Sequence, residues 1–255
     1  MSLIKKVFWN IRVFFFYCVV VVSNVILVLV AIPAKLCGSS YGVRYAMAEA
    51  FSRIFIASAK WICGLNYSVY GLEKLPKVPS VVLSNHQSFW ENLFMQVIIP
   101  KHSWVIKKEL FKIPFFGFSL KMLDPIAIDR KTSSSVKSIL EGGLKKIQQG
   151  LWLVIFPEAG RISPYRTVKI KPSGVKVALS AKVPIVIMVH NAGLYWPPGI
   201  SIKRPGTIEV RIVDVIYPEQ TQGLDVRTVT DRIFESMSYH KNLLVEKQES
   251  SKKFC

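Results

Sequence analysis

The chain of 255 residues is both basic and apolar: 34 Lys and Arg against 16 Asp and Glu give a formal net charge of +18, and 51% of residues are hydrophobic. This apolar content excludes an intrinsically disordered chain, because disorder requires too little hydrophobic surface to offset the entropy lost on folding. With only 14 Gly and 14 Pro, collagen-like and low-complexity classes are excluded as well.

The first predicted element is a long apolar helix. Residues 13–34 carry no charge and lie between Arg12 and Lys35. At about 1.5 Å per residue, such a run is long enough to cross or deeply enter a bilayer core. A cleaved signal peptide is the alternative, but its apolar region is shorter, about 7–15 residues, and no suitable cleavage site follows. We therefore expect a retained membrane helix over residues 8–36.

A second, amphipathic helix is predicted over Tyr45–Ile62. Its charged residues fall on one helical face: Glu49, Arg53 and Lys60. This pattern is typical of a helix that lies in the membrane interface. Positive charges flank the first helix at both ends, so the positive-inside rule selects no orientation for a single span. We expect a hairpin that turns at Gly38–Gly42, within a membrane-anchoring segment of residues 1–64; a buried helix pair in an ordinary core is the alternative.

The cysteines and histidines show no metal-ligand spacing. The four cysteines also suggest no disulfide framework, which favours a reducing compartment for the globular part. His102, His190 and His240 have no paired ligand spacing, so no metal site is predicted.

After Gly64 the pattern changes to that of an α/β fold. Seven short apolar or β-branched runs predict strands: 67–70, 80–84, 104–106, 126–128, 152–156, 184–189 and 207–213. Four longer stretches predict helices: 89–98, 134–149, 173–181 and 225–246. Near-continuous apolar strands that alternate with helices indicate a layered sheet flanked by helices. The globular domain is predicted over 65–246, followed by a polar, frayed tail at 247–255.

A histidine and a carboxylate follow the strand predicted at 80–84. His86 comes directly after the strand, and Glu91 lies five residues later, one turn inside a predicted helix. Loops at strand ends carry reactive groups in α/β folds. A carboxylate that holds one ring nitrogen of a histidine makes the other a general base. A histidine near a carboxylate is more often structural, so this pair alone is a weak signal.

Cations follow the ends of several predicted strands: Lys107, Arg130, Arg161, Lys169 and Lys171. Any one of them alone is best interpreted as a solvated surface charge. Several at successive strand ends, together with the helix that begins near Gly174, predict an anion site, most naturally for phosphate.

Four blocks of this sequence resemble the 1-acyl-glycerol-3-phosphate acyltransferase family. Asn85–Glu91 resembles the family block N-H-x4-D, Ile128–Arg130 the second block, and Phe156–Arg161 the block F-P-E-G-T-R. The fourth block, a V-P-I type strand, is similar to Val183–Val186. The blocks occur in the family's order and span about residues 80–210.

The resemblance implies a glycerolipid acyltransferase fold and an activity. A fatty acyl group from acyl-CoA or acyl carrier protein would be transferred to lysophosphatidic acid, giving phosphatidic acid for phospholipid synthesis. His86 would be the base, oriented by Glu91. The implied substrate-binding residues are Lys107, Arg130, Glu158, Gly160, Arg161 and Lys171. No cofactor is implied beyond the acyl donor as co-substrate.

The sequence departs from the family pattern at two places. Glu91 stands where the family usually has Asp, and Ala159-Gly160 replaces Gly-Thr, which removes a hydroxyl that could bind substrate. The second departure leaves other acceptors open, either another lysophospholipid or a lyso-aminolipid. Besides Ala159-Gly160, the aromatic segment Tyr195–Pro197 is a place that could encode such a change. A non-catalytic, membrane-anchored lipid-binding protein is also left open.

The net charge of +18 predicts anionic partners. Lys and Arg are attracted to anionic lipid surfaces, and an anionic acyl donor is steered toward a basic cleft. Nucleic acid is not an expected partner, because no nucleic-acid motif accompanies the charge. We expect a protein of the bacterial inner membrane, with the globular domain on the cytoplasmic side.

Overall fold

Seven strands form the centre of the structure, a computed structural model that describes residues 3–129, 135–199 and 201–253. The strands are β1 Leu65–Tyr70, β2 Val81–Ser84, β3 His102–Lys107, β4 Ile126–Ile128, β5 Trp152–Ile155, β6 Ile185–His190 and β7 Gly206–Ile216. They make one sheet in the order β1-β7-β6-β2-β5-β3-β4. All neighbouring pairs are parallel except β6 and β7, which are antiparallel with a register shift at Ile187/Met188. All seven predicted strands are confirmed.

Helices cover both faces of the sheet. They are α1 Leu3–Leu36, α2 Tyr41–Cys63, α3 Trp90–Ile98, α4 Phe116–Met122, α5 Ser135–Gln148, α6 Ser173–Ala181 and α7 Val226–Lys253. Alternate residues of a strand point to opposite faces. Val82 accordingly packs in a cluster with residues of α2 and α3, whereas Val81 and Leu83 pack with residues of α5, α6 and α7. The predicted layered α/β fold is confirmed.

Helix α1 is, among the described residues, the one helix long and apolar enough to span a membrane. One stripe of it is buried against the rest of the protein, including Phe16 and Val28. The remaining surface is exposed and apolar, with Phe14 71% and Leu29 62% exposed. Burial of one stripe alone leaves a wide apolar surface without a protein partner.

Helix α2 follows a short turn and begins after Ser40, whose side chain accepts a hydrogen bond from the backbone of Val43. Its aromatic face packs against the domain, where Phe55 stacks on Trp196 at a centroid distance of 5.8 Å. We expected this face to lie in the membrane interface, and that expectation is wrong for these residues. The aromatic side chains of this face are large enough to fill the space between α2 and its neighbours α1 and α3, so the face is buried within the protein.

Two further helical segments differ from the sequence prediction. The tail predicted to fray from residue 247 continues α7 to Lys253, because its Glu, Gln and Lys residues are good helix formers. The short helix α4 was not predicted, since Pro114, just before it, and Gly117, within it, are signals for a turn. It begins after Phe115, which has a positive φ of 58°.

Candidate active site

Three parallel strands at the centre of the sheet end at one edge. β2 leads into Asn85–Phe89, β5 leads into Phe156–Arg161, and β3 ends at Lys107. β5 pairs with both β2 and β3. Because the carboxyl ends of parallel neighbours meet at the same edge, where α/β folds bind ligands, the topology brings these three predicted segments together.

His86 and Glu91 form a hydrogen-bonded pair at this edge. Oε1 of Glu91 lies 2.8 Å from Nδ1 of His86, and it also accepts the backbone N–H groups of Gln87 at 2.8 Å and Ser88 at 2.7 Å. Helix α3 begins only at Trp90, so Glu91 lies in its first turn and not one turn inside it. Since the carboxylate only accepts, Nδ1 carries the ring proton and Nε2 keeps its lone pair.

Glu91 is 1% exposed, yet its surroundings favour the ionised form. Burial by itself raises the pKa of this carboxyl, but the hydrogen bond from His86, the positive charge that His86 can carry and the backbone N–H of Ser88 outweigh it, so the pKa lies below its ordinary value. A buried carboxylate that remains charged stabilises a proton on the neighbouring imidazole.

The ring of His86 also stacks on Phe156, with centroids 4.1 Å apart and an angle of 15° between the planes. Phe156 in turn stacks on Trp104. The stack restricts rotation of the imidazole and offers an aromatic face to its protonated form. The sequence analysis did not predict that Phe156 stacks on His86. The position of Phe156 directly after β5, in the same sequence block as Glu158, could have indicated that it lies at the site.

Both backbone groups of His86 are held by the loop after β5. Its N–H donates to Oε2 of Glu158 at 2.8 Å, and its carbonyl accepts the N–H of Ile162 at 2.7 Å. Burial raises the pKa of Glu158 to about 7, although the His86 N–H and Lys241 act in the opposite direction. Glu158 therefore links the two loops of the site.

A second buried network fixes the loop from the side of β6. The side chain of Asn85 donates to the carbonyl of His190 and accepts its N–H, both at 2.9 Å. The His190 ring accepts the N–H of Ala192 at Nδ1 and lies 2.8 Å from the Asn85 carbonyl at Nε2. Nε2 must therefore donate, which makes this ring neutral, and burial likewise lowers the pKa of His190.

A cavity of about 340 Å³ has His86 in its wall. The wall is mostly apolar and comes from α1, α2, α3, β3 and α4, including Leu27, Ala48, Phe51, Leu93, Leu120 and Leu123. Its volume falls within the range of about 300–1,000 Å³ usual for small-molecule sites. His86 therefore faces a space suited to an apolar ligand.

Three predicted substrate-binding residues share this cavity with His86: Lys107, Gly160 and Arg161. The guanidinium of Arg161 lies over the ring of Phe89, 5.8 Å from its centroid. Two cations thus lie in the same cavity wall as His86, where they could bind an anionic group.

The other predicted binding residues lie elsewhere. Glu158 is beside the backbone of His86 and not in the cavity wall. Lys171 is exposed and outside that wall, and its backbone N–H donates to the carbonyl of Pro157 at 2.8 Å. Arg130 lies outside the described residues.

The aromatic segment at Tyr195–Pro197 does not reach the site. Tyr195 and Trp196 are 2% and 1% exposed and belong to the core. Trp196 packs against Phe16 of α1 and Phe55 of α2. These rings hold the N-terminal helices on the domain, and a role of this segment in the choice of acceptor stays a prediction.

At this site an ionised carboxylate orients a histidine, and the histidine faces an apolar cavity that also contains two cations. Such a site is typical of enzymes that activate a nucleophile on an amphipathic, anionic substrate.

The sequence profile of the Acyltransferase family matches residues 66–191. A 1-acyl-sn-glycerol-3-phosphate acyltransferase of Pseudomonas aeruginosa is 38% identical over 181 residues, which cover 70% of this chain and 70% of the relative. The enzyme of the same name from Saccharomyces cerevisiae is 27% identical over 82% of this chain and 70% of its own.

The fold is shared with a solved structure. The crystal structure of the 1-acyl-sn-glycerophosphate acyltransferase PlsC from Thermotoga maritima superimposes with a TM-score of 0.78 at 18% identity, covering 94% of this chain and 97% of its own. The chain belongs to the 1-acyl-sn-glycerol-3-phosphate acyltransferase family and is an acyl group transferase.

Proposed function

We propose that the protein transfers a fatty acyl group from acyl-CoA or acyl carrier protein to lysophosphatidic acid and releases phosphatidic acid. The observation that carries this proposal is that His86, hydrogen-bonded to Glu91, lies in the wall of an apolar cavity together with Lys107 and Arg161. The names of the relatives support the same acceptor. No cofactor takes part, and the acyl donor is a co-substrate.

In the proposed reaction Nε2 of His86 takes the proton of the acceptor's free hydroxyl as its oxygen attacks the thioester carbonyl. Glu91 stabilises the resulting imidazolium, since it is buried, charged and 2.8 Å from Nδ1. When the tetrahedral intermediate collapses, the carbon–sulfur bond breaks and the proton passes from Nε2 to the leaving thiolate. Direct transfer of this kind needs no acyl-enzyme intermediate.

The two cations of the cavity provide the charge for the acceptor's phosphate. Arg161 offers a planar, bidentate donor set and Lys107 a compact ammonium group, a combination suited to phosphate. Gly160 lies next to Arg161, and no neighbouring atom lies within 4 Å of the position of a Cβ there. The acyl chain would lie among the apolar side chains of the same cavity.

The proposed acceptor and product are lipids, and helix α1 would bring the site to the membrane in which they lie. Its exposed apolar surface fits a bilayer, and residues of α1 and α2, such as Leu27 and Phe51, also line the cavity. We propose that the protein is bound to the bacterial inner membrane, with its globular domain on the cytoplasmic side.

The test is acyl transfer by the purified, detergent-solubilised chain. Lysophosphatidic acid, lysophosphatidylethanolamine and lysophosphatidylglycerol are offered side by side, each with acyl-CoA and with acyl carrier protein as donor. Formation of phosphatidic acid alone is the expected result. Transfer only to another lysolipid would keep the reaction and overturn the acceptor, and no transfer with either donor would favour a lipid-binding protein.

A further inference from the structure

A second cavity, of about 450 Å³, has cations as half of its lining residues, and none of its lining residues belongs to the wall of the cavity beside His86. It is formed where α1 ends, α2 begins and α4 and α5 end. Four cations line it, Lys35, Arg44, Lys121 and Lys146, with Asp124 as the only carboxylate in its described wall. None of these five side chains lines the catalytic cavity.

The one carboxylate is already paired within this cluster. Nζ of Lys146, whose residue is 6% exposed, lies 2.5 Å from Oδ2 of Asp124. Lys35 and Lys121 form no ion pair within the described part of the chain, and each lies near an aromatic ring instead. Arg44 donates to the backbone carbonyls of Met122 and Ser39. Three positive charges therefore remain without an anion in this wall.

The helix geometry makes this arrangement costly without a ligand. Arg44 lies in the first turn of α2, and that turn contains no acidic residue. Lys101 is near the same helix end, with Nζ 3.6 Å from the position of a Cβ at Gly42. The N-terminal end of a helix carries partial positive charge, so cations placed there repel it and an anion relieves the repulsion.

The position of the cluster relates it to the apolar helix. Lys35 is the first charged residue after the uncharged run 13–34 of α1. Cations that close such a run lie at the level of the lipid headgroups when the run is embedded. A phosphate at that level would come from a phospholipid of the surrounding leaflet.

We propose that this cavity binds the phosphate of an anionic phospholipid headgroup, held between Lys35, Lys121 and the start of α2. The site is separate from the acceptor site at Lys107 and Arg161, and it does not depend on the proposed reaction. It would fix the depth and rotation of α1 and α2 relative to the membrane. Free phosphate shares the ligand chemistry, and the experiment separates the two sources.

The experiment is native mass spectrometry of the full chain in a neutral detergent, titrated with dioleoyl-phosphatidylglycerol, with dioleoyl-phosphatidylcholine or with inorganic phosphate. The test variant is the double substitution Lys35→Gln and Lys121→Gln. Its matched control is Lys77→Gln with Lys145→Gln, two exposed lysines outside both cavities that remove the same charge. Arg161→Gln in a parallel sample identifies any lipid bound at the catalytic cavity.

We expect one phosphatidylglycerol adduct, and we expect the control variant and Arg161→Gln to retain it. In the test variant the affinity for phosphatidylglycerol should fall about 30-fold, because each of the two lysines removed makes the usual contribution of a cation near an anionic lipid. An unchanged melting temperature shows that the test variant is folded. Equal phosphatidylglycerol binding by test and control variants would overturn the proposal. Retention of phosphatidylcholine equal to that of phosphatidylglycerol would also overturn it. Displacement of the lipid by millimolar phosphate would overturn the lipid assignment and assign the site to free phosphate.

Discussion

Replacement of Glu91 by Gln tests the charge on the catalytic pair without changing its shape. Oε1 of residue 91 accepts from two backbone N–H groups and from His86, so the amide oxygen of Gln can keep the same three contacts. The amide nitrogen would take the place of Oε2, which has no hydrogen-bond partner among the residues that the structure describes. The substitution therefore removes the negative charge and little else.

The expected loss follows from the electrostatics of the imidazolium. Two unit charges about 4 Å apart interact by about 4 kcal/mol at an effective dielectric constant of about 20. The His86 side chain is 13% exposed and that of Glu91 1%, so solvent screens this pair only weakly. Loss of about 4 kcal/mol from the transition state lowers kcat about 1,000-fold.

The assay is the initial rate of phosphatidic acid formation at saturating substrates, with the melting temperature as the control for folding. Glu91→Asp is the companion variant, because it keeps the charge but shortens the side chain by one methylene. We expect a smaller loss for Asp than for Gln, since α3 can shift to restore the contact. A folded Glu91→Gln protein with kcat within tenfold of wild type would refute the role of the charge.

Three further predictions concern the rest of the site. No atom lies within 4 Å of the position of a Cβ at Gly160, and Gly160→Thr adds a hydroxyl beside Arg161. The KM for lysophosphatidic acid should therefore fall about twofold to tenfold, the value of one hydrogen bond, and an unchanged KM would separate this position from the acceptor. Ala48→Phe fills part of the cavity, so kcat/KM should fall for palmitoyl donors and persist for octanoyl donors; equal loss for both would contradict an acyl chain at this place. The pKa of Glu158 is raised to about 7 from an ordinary 4.5, so between these pH values the folded state keeps a proton that the unfolded state has lost, and the contribution of Glu158 to stability falls as pH rises. Glu158→Gln should therefore flatten the decline in the free energy of unfolding that wild type shows between pH 4.5 and 7. Parallel curves for the two proteins would contradict the raised pKa.

Local pattern predicted the strands and the proximity of His86 to Glu91 for a physical reason. His86 and Glu91 are five residues apart, and the buried strand before them fixes where the loop begins. Lys107 and Arg161 could be placed near them because parallel neighbouring strands end at one edge. Such inferences need only the chain's periodicity and the usual topology of α/β sheets.

Contacts between distant segments were beyond sequence reasoning. The hydrogen bonds between Asn85 and His190 join residues 105 positions apart. The stack of Phe156 on His86 depends on how β5 and β2 are aligned in the sheet. The burial of α2 likewise depends on Trp196, whose segment gave no sign that it packs against the N-terminal helices.

The rate of phosphatidic acid formation by wild type and by His86→Ala, measured with acyl-CoA and lysophosphatidic acid, tests the central claim most directly. His240→Ala is the matched control, because that histidine does not line the cavity. We expect a loss of at least about 1,000-fold for His86→Ala and wild-type activity for His240→Ala. A folded His86→Ala protein that keeps more than about a tenth of the wild-type rate would contradict it.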